Sequence, residues 1–160
     1  MNNLPRRKQL RLKDYDYSQA GYYFITVCIK DRHYLFWESS VGATCGRPQL
    51  SAIGNIVYDE INKIDTLYHN IKIAKYVVMP NHIHMIIFID DSHENGRPEV
   101  APTISRIIQQ FKGSISKQVG FSIWQKLFHD HIIRNEQEYR KIWEYIDTNP
   151  LKWHEDKYFT

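Results

Sequence analysis

Residues 76–89 read YVVMPNHIHMIIFI. Pro80-Asn81 is turn chemistry, because proline presets one backbone angle and asparagine tolerates a tight bend. On either side lie apolar runs of strand length, IKIAKYVVM and HIHMIIFID. The stretch therefore predicts two antiparallel strands joined at Pro80-Asn81. Two histidines interrupt the second strand. Residues i and i+2 of a strand share a face, so His82 and His84 project together while Ile83 points to the opposite side. Two neutral imidazoles side by side make half a metal site. They equally describe two hydrogen-bonded histidines on a half-buried strand, since His-x-His is short and arises by chance.

Working outward from this hairpin, Tyr22 to Lys30 (YYFITVCIK) is aromatic and β-branched and predicts a first strand. VGATCGRPQL, Val41 to Leu50, is a loop. Ser51 caps a helix to about His69, with Ile53, Ile56, Val57, Ile61, Ile64 and Leu67 at helical spacing. After a polar loop, Thr103 opens a second helix, TISRIIQQFKGSISKQ. SIWQKLFHDHIIR predicts the fourth strand. Glu136 to Thr148 forms a last helix, closed at Asn149-Pro150 because a residue before proline disfavours helix. The Gly-Arg-Pro tripeptides at 46–48 and 96–98 belong to surface loops and define no repeat. The order β-α-β-β-α-β-α predicts an α+β fold. It consists of a ferredoxin-like, four-stranded antiparallel sheet with helices on one face and an added C-terminal helix, in a single domain spanning residues 1–160.

Lys plus Arg number 21 against 18 Asp plus Glu, and a net charge of +3 names no partner. The basic residues crowd at the start, in LPRRKQLRLKDYDY, with no apolar stretch behind them to make a secretory signal. No run reaches the length of a membrane span. Cys28 and Cys45 lack metal-type spacing and predict reduced thiols, hence a cytoplasmic protein with no membrane partner.

A metal needs ligands beyond the histidine pair. On the last helix Tyr139, Ile142, Trp143 and Ile146 form the apolar stripe. Glu138, Lys141, Tyr145 and Asn149 fall on an adjoining face, with Tyr145 and Asn149 one turn apart. A solvated salt pair is the plain reading of Glu138 and Lys141 and the favoured one for Glu138, while Lys141 keeps a role at the site open. A second His-x-His, His129-Asp130-His131, has charged flanks and no third ligand in prospect, so it reads as surface strand.

MPNHIHMII resembles the HUH motif (histidine, hydrophobic, histidine) of single-strand DNA endonucleases. EYIDTNPLKW resembles the YIxxNPxK block of the REP-associated tyrosine transposases, and RLKDYDYSQAGYYFITVCIKDR and HIIRNEQEY match further pieces in order. The resemblance implies that Tyr145 is the nucleophile and that His82, His84 and Asn149 hold a divalent metal, Mg²⁺ or Mn²⁺. Nitrogen and oxygen ligands without thiolate suit those ions and leave Zn²⁺ or Ni²⁺ possible on affinity. The implied substrate is single-stranded DNA with a hairpin, cut and rejoined through a 5′-phosphotyrosine by a monomer or homodimer. Arg6, Arg7, Lys8 and Arg11, with Arg106, Lys112 and Lys117 of the second helix, are candidate DNA backbone contacts. Lys141 is placed by helix phase to meet the phenolate or a phosphate. The alternatives are a domesticated hairpin-DNA binder that no longer cuts, and a small metal hydrolase without a covalent step.

Overall fold

The computed structural model describes residues 16–17, 19–38, 49–90 and 102–159. Strands β1 (Gly21–Cys28), β2 (Ile71–Val78), β3 (His82–Ile89) and β4 (His129–Ile133) form one antiparallel sheet in the order β2-β3-β1-β4. The helices are α1 (Ala52–Leu67), α2 (Ile104–Val119) and α3 (Glu136–Thr148). A 3-10 segment, Asn149–Glu155, follows α3, because Pro150 ends the α-helical pattern.

Each helix begins on a side-chain cap. Ser51 Oγ accepts from Gly54 N, Thr103 Oγ1 from Arg106 N, and Asn135 Oδ1 from Glu138 N. Gly54 is required for a different reason. A Cβ there would lie 2.2 Å from the Phe36 carbonyl oxygen, against which α1 enters the fold.

Period-2 alternation splits β3 between the sheet's two faces. Ile83, Met85, Ile87 and Ile89 join Tyr23, Ile25 and Val27 beneath α1 and α2 in the main core. His82, His84 and Ile86 face the other way. That face carries α3 through a small cluster of Ile86, Ile133 and Ile146, flanked by Phe24, Val77, Tyr139 and Ile142. The ferredoxin-like sheet thus has α1 and α2 on one face, and the added helix covers the other.

The fourth strand is shorter than its apolar run suggests, five residues in place of SIWQKLFHDHIIR. Trp124 makes only an isolated bridge to Ile29, and its ring turns into the core. Between that bridge and β4, Lys112 of α2 takes the place of a strand partner. Its ammonium bonds the carbonyls of Gln125 (2.9 Å) and Leu127 (3.1 Å), while Gln125 N still donates to Cys28 O of β1 (2.9 Å).

Edge strand β2 is irregular between Ile73 and Lys75. Two of its backbone polar groups have side-chain partners: Asp65 Oδ1 accepts from Ile73 N at 2.7 Å, and Trp37 Nε1 donates to Val78 O at 2.8 Å. Among the described residues no helix is long and apolar enough to cross a membrane.

Candidate functional site

His82 and His84 are almost wholly buried, and their Nε2 atoms lie 3.0 Å apart. Asn81 fixes the protonation of the first ring. Its Nδ2 donates to the carbonyl of Tyr158 (2.8 Å) and faces that of Arg32 (3.5 Å), which orients Oδ1 toward His82 Nδ1 at 2.8 Å. An amide oxygen only accepts, so Nδ1 carries the proton and His82 Nε2 is a bare lone pair. The second ring is held differently. His84 Nδ1 faces Thr26 Oγ1 at 2.8 Å, and a hydroxyl can donate or accept. Without a cation, His84 donates Nε2–H to His82 and accepts from Thr26. By rotating, the Thr26 hydroxyl lets His84 move its proton to Nδ1 and bare its own Nε2.

The pair fits a small divalent cation. Ligand bonds of about 2.1 Å at cis octahedral positions place their donor atoms about 3.0 Å apart. Burial also keeps both rings neutral, as ligands must be. It holds His82 down to about 4 against the counter-pull of Asp156, and it drives His84 well below 6.5, helped by His82.

Tyr145 reaches the pair from α3. Its hydroxyl lies 3.3 Å from His84 Nε2 and 3.4 Å from Asp156 Oδ2, and Phe24 packs edge-on against the phenol and beside the His84 ring. Partial burial and then the Asp156 charge push the phenol pKa up to about 12. Asn149 lies near enough to favour the ionised phenol, yet neither its Oδ1 nor its Nδ2 completes a hydrogen bond, although the residue is buried. A buried carboxamide without partners costs about 1–3 kcal/mol, and a cation accepting Oδ1 would relieve that cost.

Sequence reasoning missed Asp156 and Tyr158. Asp156 Oδ2 is 3.9 Å from His82 Nε2, its carboxylate is nearly inaccessible, and it forms a possible ligand triad with the two histidines. The Tyr158 ring lies tilted over His82 with centroids 4.4 Å apart, and its hydroxyl sits close to the buried Cys28 thiol. Both follow a proline in irregular chain, where no periodicity points to a face.

The remaining candidates disperse. Lys141 lines a cleft of about 350 Å³ beside Tyr145 and Asn149, together with Lys152, which was not foreseen. Arg106 and Lys117 are exposed on α2, across the sheet from Tyr145. Lys112 departs from its expected place at the DNA, since its ammonium is committed to the two loop carbonyls. Arg6, Arg7, Lys8 and Arg11 lie outside the described residues, as does Cys45.

The expected Glu138–Lys141 pair is replaced. Glu138 bonds His131 Nε2 at 2.5 Å and Arg134 N at 2.8 Å. His129 and His131 pair with Thr26 and Phe24. They therefore share the sheet face of His82 and His84, but they lie on edge strand β4 with β1 between the two pairs.

No protein-family model matches the chain. It is 31% identical over 171 aligned positions to an uncharacterised protein of Haemophilus influenzae, covering 96% of this chain and 93% of that one. It is 33% identical over 137 positions to the REP-associated tyrosine transposase of Escherichia coli, covering 85% of this chain and 70% of that one. Among solved structures it is similar to a REP-associated tyrosine transposase bound to a REP hairpin. The TM-score is 0.66 at 25% identity, over 92% of this chain and 76% of that one.

Proposed function

Because the chain belongs to the REP-associated tyrosine transposases, we propose that it cuts and rejoins single-stranded DNA beside a hairpin, with Tyr145 as the covalent nucleophile. One observation carries this reading: the Tyr145 hydroxyl stands 3.3 Å from a histidine nitrogen that is itself 3.0 Å from a second. Two buried imidazoles stand behind the Tyr145 hydroxyl, and Tyr145 and Asn149, whose carboxamide is unpartnered, line an open cleft with Lys141, Lys152, Glu144, Glu155 and Asp156.

In the step itself, Tyr145 Oη attacks the scissile phosphorus, the P–O3′ bond breaks, and the DNA 5′ phosphate becomes a phosphotyrosine diester. The reverse attack by a 3′ hydroxyl restores the strand without an energy source, because the bond energy is conserved. A phenol held near 12 is neutral at rest, so it must lose its proton as it attacks. Asp156 Oδ2 already accepts that O–H and is the nearest carboxylate acceptor. His82 and His84, with Asn149 or Asp156, would hold Mg²⁺ or Mn²⁺. When bound, the cation supplies Lewis acidity toward the phosphate and the leaving 3′ oxygen. Asn81 and Thr26 orient the imidazoles, and Lys141 and Lys152 offer positive charge to flanking phosphates.

The test is incubation of labelled hairpin-bearing single strands, taken from the DNA flanking the protein's own gene, with Mn²⁺ and analysis on denaturing gels. Wild type is expected to form a covalent adduct that maps to Tyr145, and Tyr145→Phe to bind the hairpin but form none. An adduct surviving in Tyr145→Phe, or one mapping to Tyr158 or Tyr139, would overturn the assignment.

A further inference from the structure

On the flank of α3 away from the catalytic cleft lies a hollow of about 400 Å³ along the outer edge of β2. Its walls include Trp37 and the ring pair Tyr58–Tyr76, whose centroids are 5.9 Å apart. Pro150 and Ile146 close it from the α3 side. Lys75 and Asp147 sit together at its margin, bridged at 2.6 Å, with the Lys75 ammonium 4.7 Å from the centre of the Trp143 ring. Neither the metal centre nor the nucleophile uses these groups.

Two occupants suit a hollow at a sheet edge: an added strand, or a flat ring. The edge itself argues against the strand. The ladder is irregular at Ile73–Lys75, Ile73 N is bonded by Asp65, and Val78 O is bonded by Trp37. Bulges and blocked edge groups of this kind prevent strand addition. The walls argue for the ring. Aromatic faces stack any base, and an ammonium beside a carboxylate offers a donor and an acceptor to a base edge. The volume is ample for one base.

We propose that this hollow holds an unpaired base from the strand flanking the hairpin. The inference rests on the reading of the chain as a single-strand DNA enzyme. Asp147 and Ile146 directly follow Tyr145 on α3. One rigid helix then carries the nucleophile on one flank and the base seat on the other. The distance in nucleotides between seated base and cut phosphate is fixed by the protein, and the choice of cut site follows from it.

The experiment measures binding rather than cutting. Tyr145→Phe protein is titrated into hairpin strands with five-nucleotide unpaired flanks, carrying 2-aminopurine at one flank position at a time. One position is expected to lose fluorescence on binding, as stacked 2-aminopurine does. Adding Tyr58→Ala is expected to weaken binding of the flanked hairpin about tenfold, the size of one stacked base, and to leave the flankless hairpin unaffected. An abasic site at the responsive position should cost the same, and the two losses should not add. Asp147→Asn should change which base is preferred there. Unchanged binding in both variants, or fully additive losses, overturns the base seat. So does a dimer in sedimentation that Tyr58→Ala dissolves, since the hollow would then be an interface between copies. Failure of the Tyr145→Phe parent to bind any hairpin strand would instead sink the underlying function.

Discussion

Holding two imidazoles neutral inside a metal-free protein has a thermodynamic signature. His82 is held down to about 4, whereas in the unfolded chain it titrates at the ordinary 6.5. Above 6.5 neither state binds the proton. As pH falls through 6.5 the unfolded chain takes it up first, so stability is lost between 6.5 and 4. A gap of about 2.5 units at 1.36 kcal/mol each is about 3 kcal/mol in full, of which about 2 kcal/mol is lost between pH 7 and pH 5. His84 shifts in the same direction and adds to the loss. For a chain of this size about 2 kcal/mol corresponds to about 4–8 °C in Tm. The assay is thermal unfolding followed by circular dichroism, in EDTA, at half-unit steps from pH 7 to pH 5, where carboxylates hardly titrate. The control is His82→Gln/His84→Gln, whose melting temperature should fall much less over the same range. If wild type and the double variant tracked each other within about 1 °C, the two rings would not be buried neutral, and the ligand assignment would lose its electrostatic basis.

His82→Ala and His84→Ala should each abolish Mn²⁺ binding in calorimetric titration, and His129→Ala should keep it; equal loss at His129 would mean that the wrong pair had been chosen. Asp156→Asn removes the charge that helps raise the Tyr145 phenol, so its pKa should fall below about 12; NMR titration of ¹³Cζ-labelled tyrosine reads this directly, and an unmoved or higher value would refute it. Gly54→Ala places a methyl 2.2 Å from the Phe36 carbonyl oxygen and should cost about 3 kcal/mol, the upper end for overpacking; a denaturation midpoint equal to wild type would show that α1 enters the fold differently.

The legible parts of this molecule are those with a period. Alternation in β3 places His82 and His84 on one face, and the i,i+4 spacing places Tyr145 and Asn149 on one side of α3. The Pro80-Asn81 turn and the caps at Ser51 and Thr103 punctuate the chain where composition says they should. What escaped has no period. Asp156 and Tyr158 return to the histidines through irregular chain beyond Pro150. Lys112 looks like one of several helix cations until its ammonium is seen on the Gln125 and Leu127 carbonyls. The second histidine pair misleads in another way. Its alternation does place it on the α3 face, and only strand order, a long-range property, separates it from the first pair.

Strand β3 also behaves as an error-detecting code. Its odd positions, Ile83 to Ile89, are all core; its even positions include both imidazoles. A slip of one residue in pairing exchanges the two sets. His82 and His84 would enter the apolar core away from Asn81 and Thr26, at about 1–3 kcal/mol for each polar group left unsatisfied, and four large apolar side chains would leave it. A misregistered molecule is therefore a poorly folded one, open to proteolysis, rather than a compact protein with a scrambled histidine pair. Quality control of the fold doubles as quality control of the candidate site, with no separate check required.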